Sequence, residues 1–300
     1  MTDKSSADII DVSVVILSYN TANVTLKCLE HLYTSKTITF ETIVVDNDSK
    51  DDSVPMIKKH FPKVKLIESK ENLGFAKGNN LGMSQARGKS ILLLNSDCFV
   101  KPDTLATLPD RDVVGCKLLN EDGSVQPSWG FFPTLLRVKL QMLFIDNLPV
   151  IRNFVKAIHV RDLSRYESEQ EVDWVTGAFV MLKKEVFEMT EGFDPNYFMY
   201  GEEMEWMYRI KKAGYKVWYS PAGVATHLKG VSTKSTAKML LSEMKGLLYW
   251  YHKHNSKLER VFLKLLLLMG TVIRIPAWAV WRRWDLVKAY WQVLPELLES

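Results

Sequence analysis

Three hundred residues, 47% of them hydrophobic and 11% aromatic, describe a globular chain large enough for one sizeable domain plus appendages. A net charge of +4 demands no nucleic-acid partner, and three scattered cysteines, Cys28, Cys98 and Cys116, suit a reducing compartment rather than a disulfide framework or a zinc knuckle. The polar start MTDKSSADIIDVS does not read as an export segment, and the apolar stretch 261–284 is broken by Lys264, Arg274, Pro276, Arg282 and Arg283, so it is expected to lie on a surface rather than to span one.

In chain order, residues 12–17 (VSVVIL) form a buried-strand pattern that Ser18-Tyr19-Asn20 closes. Thr21 or Asn23 can cap a helix carrying Leu26, Leu29 and Leu32. Residues 42–45 repeat the scheme and end in Asp46-Asn47-Asp48-Ser49. A helix to about His60 and a strand at 64–67 follow, and then Asn72-Leu73-Gly74-Phe75 turns into a helix through Asn79, Asn80 and Met83 that Gly88 stops. Residues 91–94 (ILLL) are a fourth strand, ending at Asn95-Ser96-Asp97. This alternation predicts βαβ units, an α/β fold with a mostly parallel sheet covered by helices on both faces.

Parallel strands share one carboxyl edge, and ligands bind beyond it. The three polar clusters should therefore open on one crevice. A nucleotide lying there would meet Asp46, suited to base or ribose hydroxyls, and Asp97, suited to a divalent cation that in turn holds a diphosphate. No Walker sequence is present and no G-x-G-x-x-G follows the first strand, so neither an ordinary NTPase nor a dinucleotide dehydrogenase is favoured.

Residues 113–118 suggest a further strand and Asp122-Gly123 a turn. Residues 131–165 read as one or two amphipathic helices with basic faces, or equally as a helical flap packed on the sheet. In 171–182 (EVDWVTGAFVML), Gly177 lets a ligand or another backbone approach closely. After the turn Phe193-Asp194-Pro195, Glu202-Glu203 open a helix ended by Gly214. Carboxylates in a first turn are ordinary partners of the macrodipole. Glu203, however, shares a face with Met207 and Ile210, and a partly desolvated carboxylate can serve as a general base. Short strands at 216–219 and 223–226 flank Ser220-Pro221, and His227 is either structural or a second ligand for a cation at Asp97. From Lys234 the pattern is helical to the end. Residues 251–290 carry eight Lys or Arg against Glu259 and Asp285. Trp278, Trp281 and Trp284 suit a membrane interface, while a bundle or a dimer seam fits the same pattern.

Taken together, these motifs resemble the inverting family 2 glycosyltransferases of the GT-A fold, and within them the rhamnosyltransferase-like enzymes of bacterial surface polysaccharide assembly. The segments that carry the resemblance are SVVILSYN, TIVVDNDSKDDS, ENLGFAKGNN, ILLLNSDCFVKPDTL, VDWVTGAFVMLKKEVFEMTEGFD and YFMYGEEMEWMYRIKKAGYKVWYSPAGVATHLKG, in the family's order from Ser13 to Gly230. The resemblance implies a Rossmann-like catalytic domain over 1–233 with an insertion at 131–165, followed by a helical region, 234–300, that meets a membrane or a second copy. It implies that Ser18, Tyr19, Asn20 and Asp46 line the nucleotide pocket, that the loop 72–80 covers it, and that Asn47, Gly74, Asn79, Asn95, Ser96, Trp174 and Gly177 complete the substrate-binding set. Asp97 becomes the metal-holding end of a D-x-D element, with His227 beside it and Mg2+ or Mn2+ as the ion. The catalytic pair is Glu202-Glu203, with Glu203 by position the base.

Two departures stand out. Asn95 replaces the first Asp of D-x-D. Glu203 stands where the family usually has Asp, longer by one methylene or about 1.5 Å, and misplacement of about 1 Å can cost roughly a hundredfold in rate. The reaction expected is inverting transfer of a sugar, rhamnose by resemblance, from a dTDP- or UDP-sugar to a glycan or lipid-linked acceptor. The protein is expected to be cytoplasmic and peripheral on the inner membrane surface, without nucleic acid, and a homodimer stays open. Two alternatives remain: a membrane-associated scaffold or sugar-binding subunit with an impaired site, which Glu203 favours, and a sugar nucleotidyltransferase, which SYNTANVT disfavours because it lacks a Gly-rich, Arg-containing loop.

Overall fold

The computed structural model describes residues 10–36, 38–148, 156–228 and 235–299. Its frame is four apolar runs, β1 (Val12–Ser18), β2 (Phe40–Asp46), β3 (Lys65–Glu68) and β4 (Ser90–Asn95), joined by α1 (Ala22–Leu32), α2 (Ser53–His60) and α3 (Gly74–Met83). β1 lies between β2 and β4, parallel to both, with Ser18 opposite Asp46 and Leu17 opposite Asn95. Successive side chains leave opposite faces of a strand. Val15, Ile43 and Leu93 accordingly enter one core, and Val14, Ile16, Val44 and Leu92 the other. Burial on both faces is why these strands read as unbroken Val, Ile and Leu.

Beyond Asn95 a tight turn leads into β5 (Cys98–Val100), α4 (Thr104–Thr107), β6 (Val113–Leu119), β7 (Val125–Gln126), β8 (Trp129–Gly130) and α5 (Leu135–Met142). Then come β9 (Gln170–Val172), β10 (Trp174–Val175), β11 (Phe179–Lys183), α6 (Lys184–Thr190), α7 (Glu202–Lys212) and β12 (Val217–His227). The large sheet runs β3-β2-β1-β4-β11-β6-β12-β5, mostly parallel, with β11 antiparallel between β4 and β6. The α/β expectation holds, with helices on both faces.

Several boundaries differ from the sequence reading. α3 ends at Met83 rather than at Gly88. Gly88 instead crosses β1, where a Cβ would lie 2.6 Å from the Ser13 nitrogen. Among the described residues, 131–165 contain one α-helix, α5, and 3-10 turns at Ile145–Asn147 and Leu163–Tyr166. Residues 149–155, with Arg152, lie outside the description. Ala157, Ile158, Val160 and Tyr166 are buried, so this segment is a flap whose apolar side chains feed the core. The two short strands expected around Pro221 are one strand, β12, with an irregularity between Ser220 and Val224. Thr21 does sit at the N-cap of α1, but its hydroxyl faces Thr25 and Ser96, and Asp51 Oδ2 accepts the Ala22 N–H at 3.0 Å in its place.

The C-terminal region is α8 (Thr236–His254), α9 (Lys257–Val280) and α10 (Trp284–Glu299). The expected boundary at 233/234 lies outside the described residues. Val138 and Met142 of α5 share a core with Trp250, Leu263, Leu267 and Tyr290, and Met204 and Tyr208 of α7 pack against it. The tail therefore closes part of the protein's interior. α9 opens with a capping box formed by Ser256 and Glu259.

Candidate functional site

β1 and β2 bring two polar ends to the carboxyl edge of the sheet. Asp46 is 2% exposed; its Oδ2 accepts the Ser49 N–H at 3.0 Å, and its Oδ1 has no hydrogen-bond partner among the described residues. A buried carboxylate oxygen without a donor is costly, and a ligand hydroxyl or base N–H would satisfy it. Asn20 and Asp48 hold φ of 53° and 66°, a left-handed region that short amide and carboxylate side chains tolerate better than most. Asn20 Oδ1 accepts the Lys50 N–H at 2.7 Å, which ties the two strand-end turns together. Asn47 ties the next loop: its Oδ1 accepts the Leu73 N–H at 2.8 Å and its amide donates to Asn72 Oδ1 at 2.9 Å.

Asp97 and His227 meet because β5 pairs with the end of β12, which sets Cys98 opposite His227. The Leu228 N–H donates to the Asp97 carbonyl at 3.0 Å. Asp97 Oδ1 then lies 3.2 Å from His227 Nε2. Gln126 settles the imidazole tautomer. Its amide nitrogen lies 3.1 Å from the His227 carbonyl oxygen, which can only accept, so its Oε1 is the atom turned to His227 Nδ1 at 2.7 Å. Nδ1 must then donate. Nε2 and Asp97 Oδ1 consequently face each other as two acceptors unless a proton or cation lies between them. Among the described residues no third His, Cys, Asp or Glu joins the pair. One carboxylate and one imidazole, completed by substrate phosphates, are nonetheless a reasonable set for Mg2+ or Mn2+. The donors present fit such an ion.

The third component arrives on α7. The Gly177 N–H donates to Glu203 Oε1 at 3.2 Å, and the next residue, Ala178, accepts the Asn95 N–H at 3.0 Å. Glu203 is thereby fixed beside the strand end that leads to Asp97. A Cβ at position 177 would lie 2.9 Å from the Phe75 ring and 3.2 Å from Glu203 Cγ; the close approach is by two side chains rather than by the ligand or backbone the sequence suggested. Phe75 in turn donates its N–H to the Phe198 carbonyl at 2.7 Å, and Gly74, at φ 76°, makes room for Phe198. Burial pushes the Glu203 carboxyl up, opposed by bonds from backbone N–H groups including that of Gly177. Glu202 is pushed up further, by burial and then by the charge of Glu203, and its Oε2 has no partner among the described residues. A protonated Glu202 leaves the charge on Glu203.

Of the expected residues, Asp46, Tyr19, Asn95, Ser96, Asp97, Gly177, Glu203 and His227 gather along this edge. The side chains of Ser18, Asn20, Asn47 and Asn79 are engaged in internal bonds: the Ser18 hydroxyl with Thr25 at 3.0 Å, the Asn79 amide with the Phe75 carbonyl at 2.9 Å. They shape the edge from beneath. Trp174 is buried in the core with its Nε1 donating to the Ile158 carbonyl at 3.1 Å, so its contribution is packing. Sequence reasoning missed Gln126 and the Phe75–Phe198 clasp. It also missed Glu205, fully buried among Arg209, Lys253 and His254. A separate hollow of about 890 Å3 lies at the opposite, amino-terminal edge, lined by Asp11, Lys89, Asp110 and Lys183. Of its charges, Lys89 pairs with Asp11 and Lys183 with Asp110, while Arg111 turns away to Glu169. The three cysteines are free and buried, and burial pushes their thiols up, which makes them inert.

Residues 13–111 match the family described as Glycosyl transferase family 2. An N-acetylglucosaminyl-diphospho-decaprenol L-rhamnosyltransferase of Mycobacterium tuberculosis is 27% identical over 210 residues, 64% of this chain and 67% of that protein. Rhamnosyltransferase WbbL of Escherichia coli is 27% identical over 236 residues, 72% of this chain and 83% of that protein. The fold matches that of a mannosyltransferase, PcManGT from Pyrobaculum calidifontis, in complex with GDP-Man and Mn2+, with a TM-score of 0.58 at 16% identity over 96% of this chain and 87% of that one. Against two longer structures of the same fold the chain spans 51% and 43% of their length. The fold is GT-A.

Proposed function

We propose that this chain, which carries a glycosyl transferase family 2 domain, moves rhamnose from a nucleoside-diphosphate sugar to a hydroxyl of a glycan or lipid-linked acceptor, with inversion at the anomeric carbon. The observation that carries this reading is that the Asp97–His227 pair begins two residues past Asn95, while Glu203 is held by the N–H of Gly177, the neighbour of the Ala178 carbonyl that Asn95 bonds. Two relatives named as rhamnosyltransferases support the sugar, and the first one's name supports a lipid-linked diphosphate acceptor.

In this reading the nucleoside lies across the ends of β1 and β2, and Asp46 Oδ1 accepts from a ribose hydroxyl or base N–H. Asp97 and His227 would hold Mg2+ or Mn2+, whose charge would offset that gathering on the leaving diphosphate. Glu203 takes the proton from the acceptor hydroxyl. That oxygen forms its bond to the anomeric carbon on the face opposite the diphosphate, which departs with the electron pair of the breaking bond. A single displacement inverts the centre and leaves no sugar on the protein. Gly177 and Phe75 orient Glu203, which answers the extra methylene relative to Asp by anchoring the longer side chain.

A panel of dTDP-, UDP- and GDP-sugars, incubated with purified protein, Mn2+ and a lipid-linked N-acetylglucosaminyl acceptor, tests the proposal through nucleotide release and product mass. Rhamnose added to the acceptor is the expected result. A protein that binds no nucleotide with Mn2+ and transfers no sugar would instead support the scaffold reading.

A further inference from the structure

Beyond this chemistry, the outer face of α9 has no partner among the described residues. Its inner face, with Leu263, Leu267, Gly270 and Thr271, is buried against the bundle. On the other side Leu258, Phe262, Leu265, Met269, Val272 and Val280 are exposed, from 43% to 79%. At 3.6 residues per turn these six fall within an arc of roughly 80–100°, one continuous apolar stripe along a 24-residue helix. Solitary exposed apolar residues need no explanation, but a contiguous stripe marks an interaction surface. Trp281 and Trp284, 58% and 59% exposed, follow at the C-terminal end of α9. Lys257 stands exposed at one end, and Arg282 and Lys288 at the other. The nearby acids are already engaged: Glu259 in the capping box and Asp285 with Arg283 at 2.9 Å.

We propose that this stripe docks on an anionic lipid bilayer, with α9 lying in the plane of the interface. Apolar side chains flanked by indoles and cations match the boundary between acyl chains and acidic headgroups. α9 is long and apolar enough to cross a membrane, with a mean hydropathy of 1.7 and only 22% of the relevant window buried. Its other face argues for lying flat. Arg274 donates to the Met142 carbonyl at 3.1 Å and to the Tyr290 hydroxyl at 2.7 Å, and Lys264 to the Leu298 carbonyl at 3.1 Å. Spanning would strip these cations from their partners and pull α9 off α5 and α10.

Flotation of the full chain with phosphatidylcholine vesicles, with and without phosphatidylglycerol, tests the docking without reference to sugar transfer. The chain should float with the anionic vesicles, more weakly with neutral ones, and less at high salt. The emission of Trp281 and Trp284 should shift to the blue on binding. The double variant Phe262→Glu/Leu265→Glu should lose at least tenfold in vesicle affinity with unchanged circular dichroism and melting, while Phe262→Leu keeps it. No binding to anionic vesicles at low salt overturns the proposal. So does an association that resists alkaline carbonate, which indicates a span. A dimer that the double variant dissociates also overturns it, since a second copy would then be the occupant.

Discussion

The adjacent carboxyls at 202 and 203 are unlike in surroundings, and that difference can be measured. Glu202 is 2% exposed and titrates well above the ordinary glutamate value of 4.5. The folded chain keeps this proton where the unfolded chain has released it. The stability it contributes is whole below 4.5 and is lost as the pH rises through the raised value. Glu202→Gln removes that loss, so the variant should melt with the wild type in mild acid and above it in mild alkali, by about 2–4 °C for each kcal/mol relieved. Glu203 is raised as well, so the acid limb of kcat/KM should lie above 4.5. Glu203→Gln should lower kcat by about 10²–10⁴ with little change in donor KM. Gln126 bonds both the ring and the carbonyl of His227; it is a positioning residue that holds His227 with Nε2 turned to Asp97. Gln126→Ala should weaken Mn2+ binding by about 10–100-fold in calorimetry, and a normal affinity would remove Gln126 from the site.

At the scale of elements, two junctions decide where Glu203 sits. The first is the one between β10 and β11, where Gly177 lies against both Phe75 and Glu203. Gly177→Ala should cut kcat by about tenfold or more and lower the melting temperature by a few degrees, because its methyl presses on the Phe75 ring as well as on the carboxylate's own stem. The second is the contact of α8 with α7. Lys253 reaches Asp194 and Glu205, each at 2.7 Å, and the Glu205 side chain is fully buried. Attraction to Lys253 and bonds from Asn196 and Tyr249 outweigh burial and hold Asp194 below the usual carboxylate range. Its stabilising share is therefore present above the unfolded value and is lost as the pH falls. Lys253→Met leaves two carboxylates short of a cation. It should cost about 2–4 kcal/mol in denaturant unfolding, somewhat under the figure for a fully buried pair, because Lys253 keeps 32% of its side chain exposed.

For the molecule as a whole, the helical tail behaves as a wall of the catalytic unit rather than an appendage. Phe132, Met204 and Tyr208 pack against the core that α8, α9 and α10 complete. A chain ending at residue 233 should expose them together with the buried charge of Glu205, and is expected to be aggregated or protease-sensitive where the full chain is not. A stable, monomeric truncate would show that the tail closes nothing. The sequence by itself determined the parallel α/β frame, because strands buried on both faces must be runs of Val, Ile and Leu, and it determined which carboxylates lie at strand ends. It also singled out Gly177, whose missing side chain signals close approach. Only the tertiary structure decided that Glu203 is held by a backbone N–H of residue 177, and that Gln126, 101 residues from His227, orients its imidazole. It likewise decided between the two readings the sequence left open for 131–165, in favour of the flap, and folded the inner face of the tail onto the core. Periodicity reports what is buried along one element, whereas a site is made by contacts between elements whose separation in the chain leaves no periodic trace.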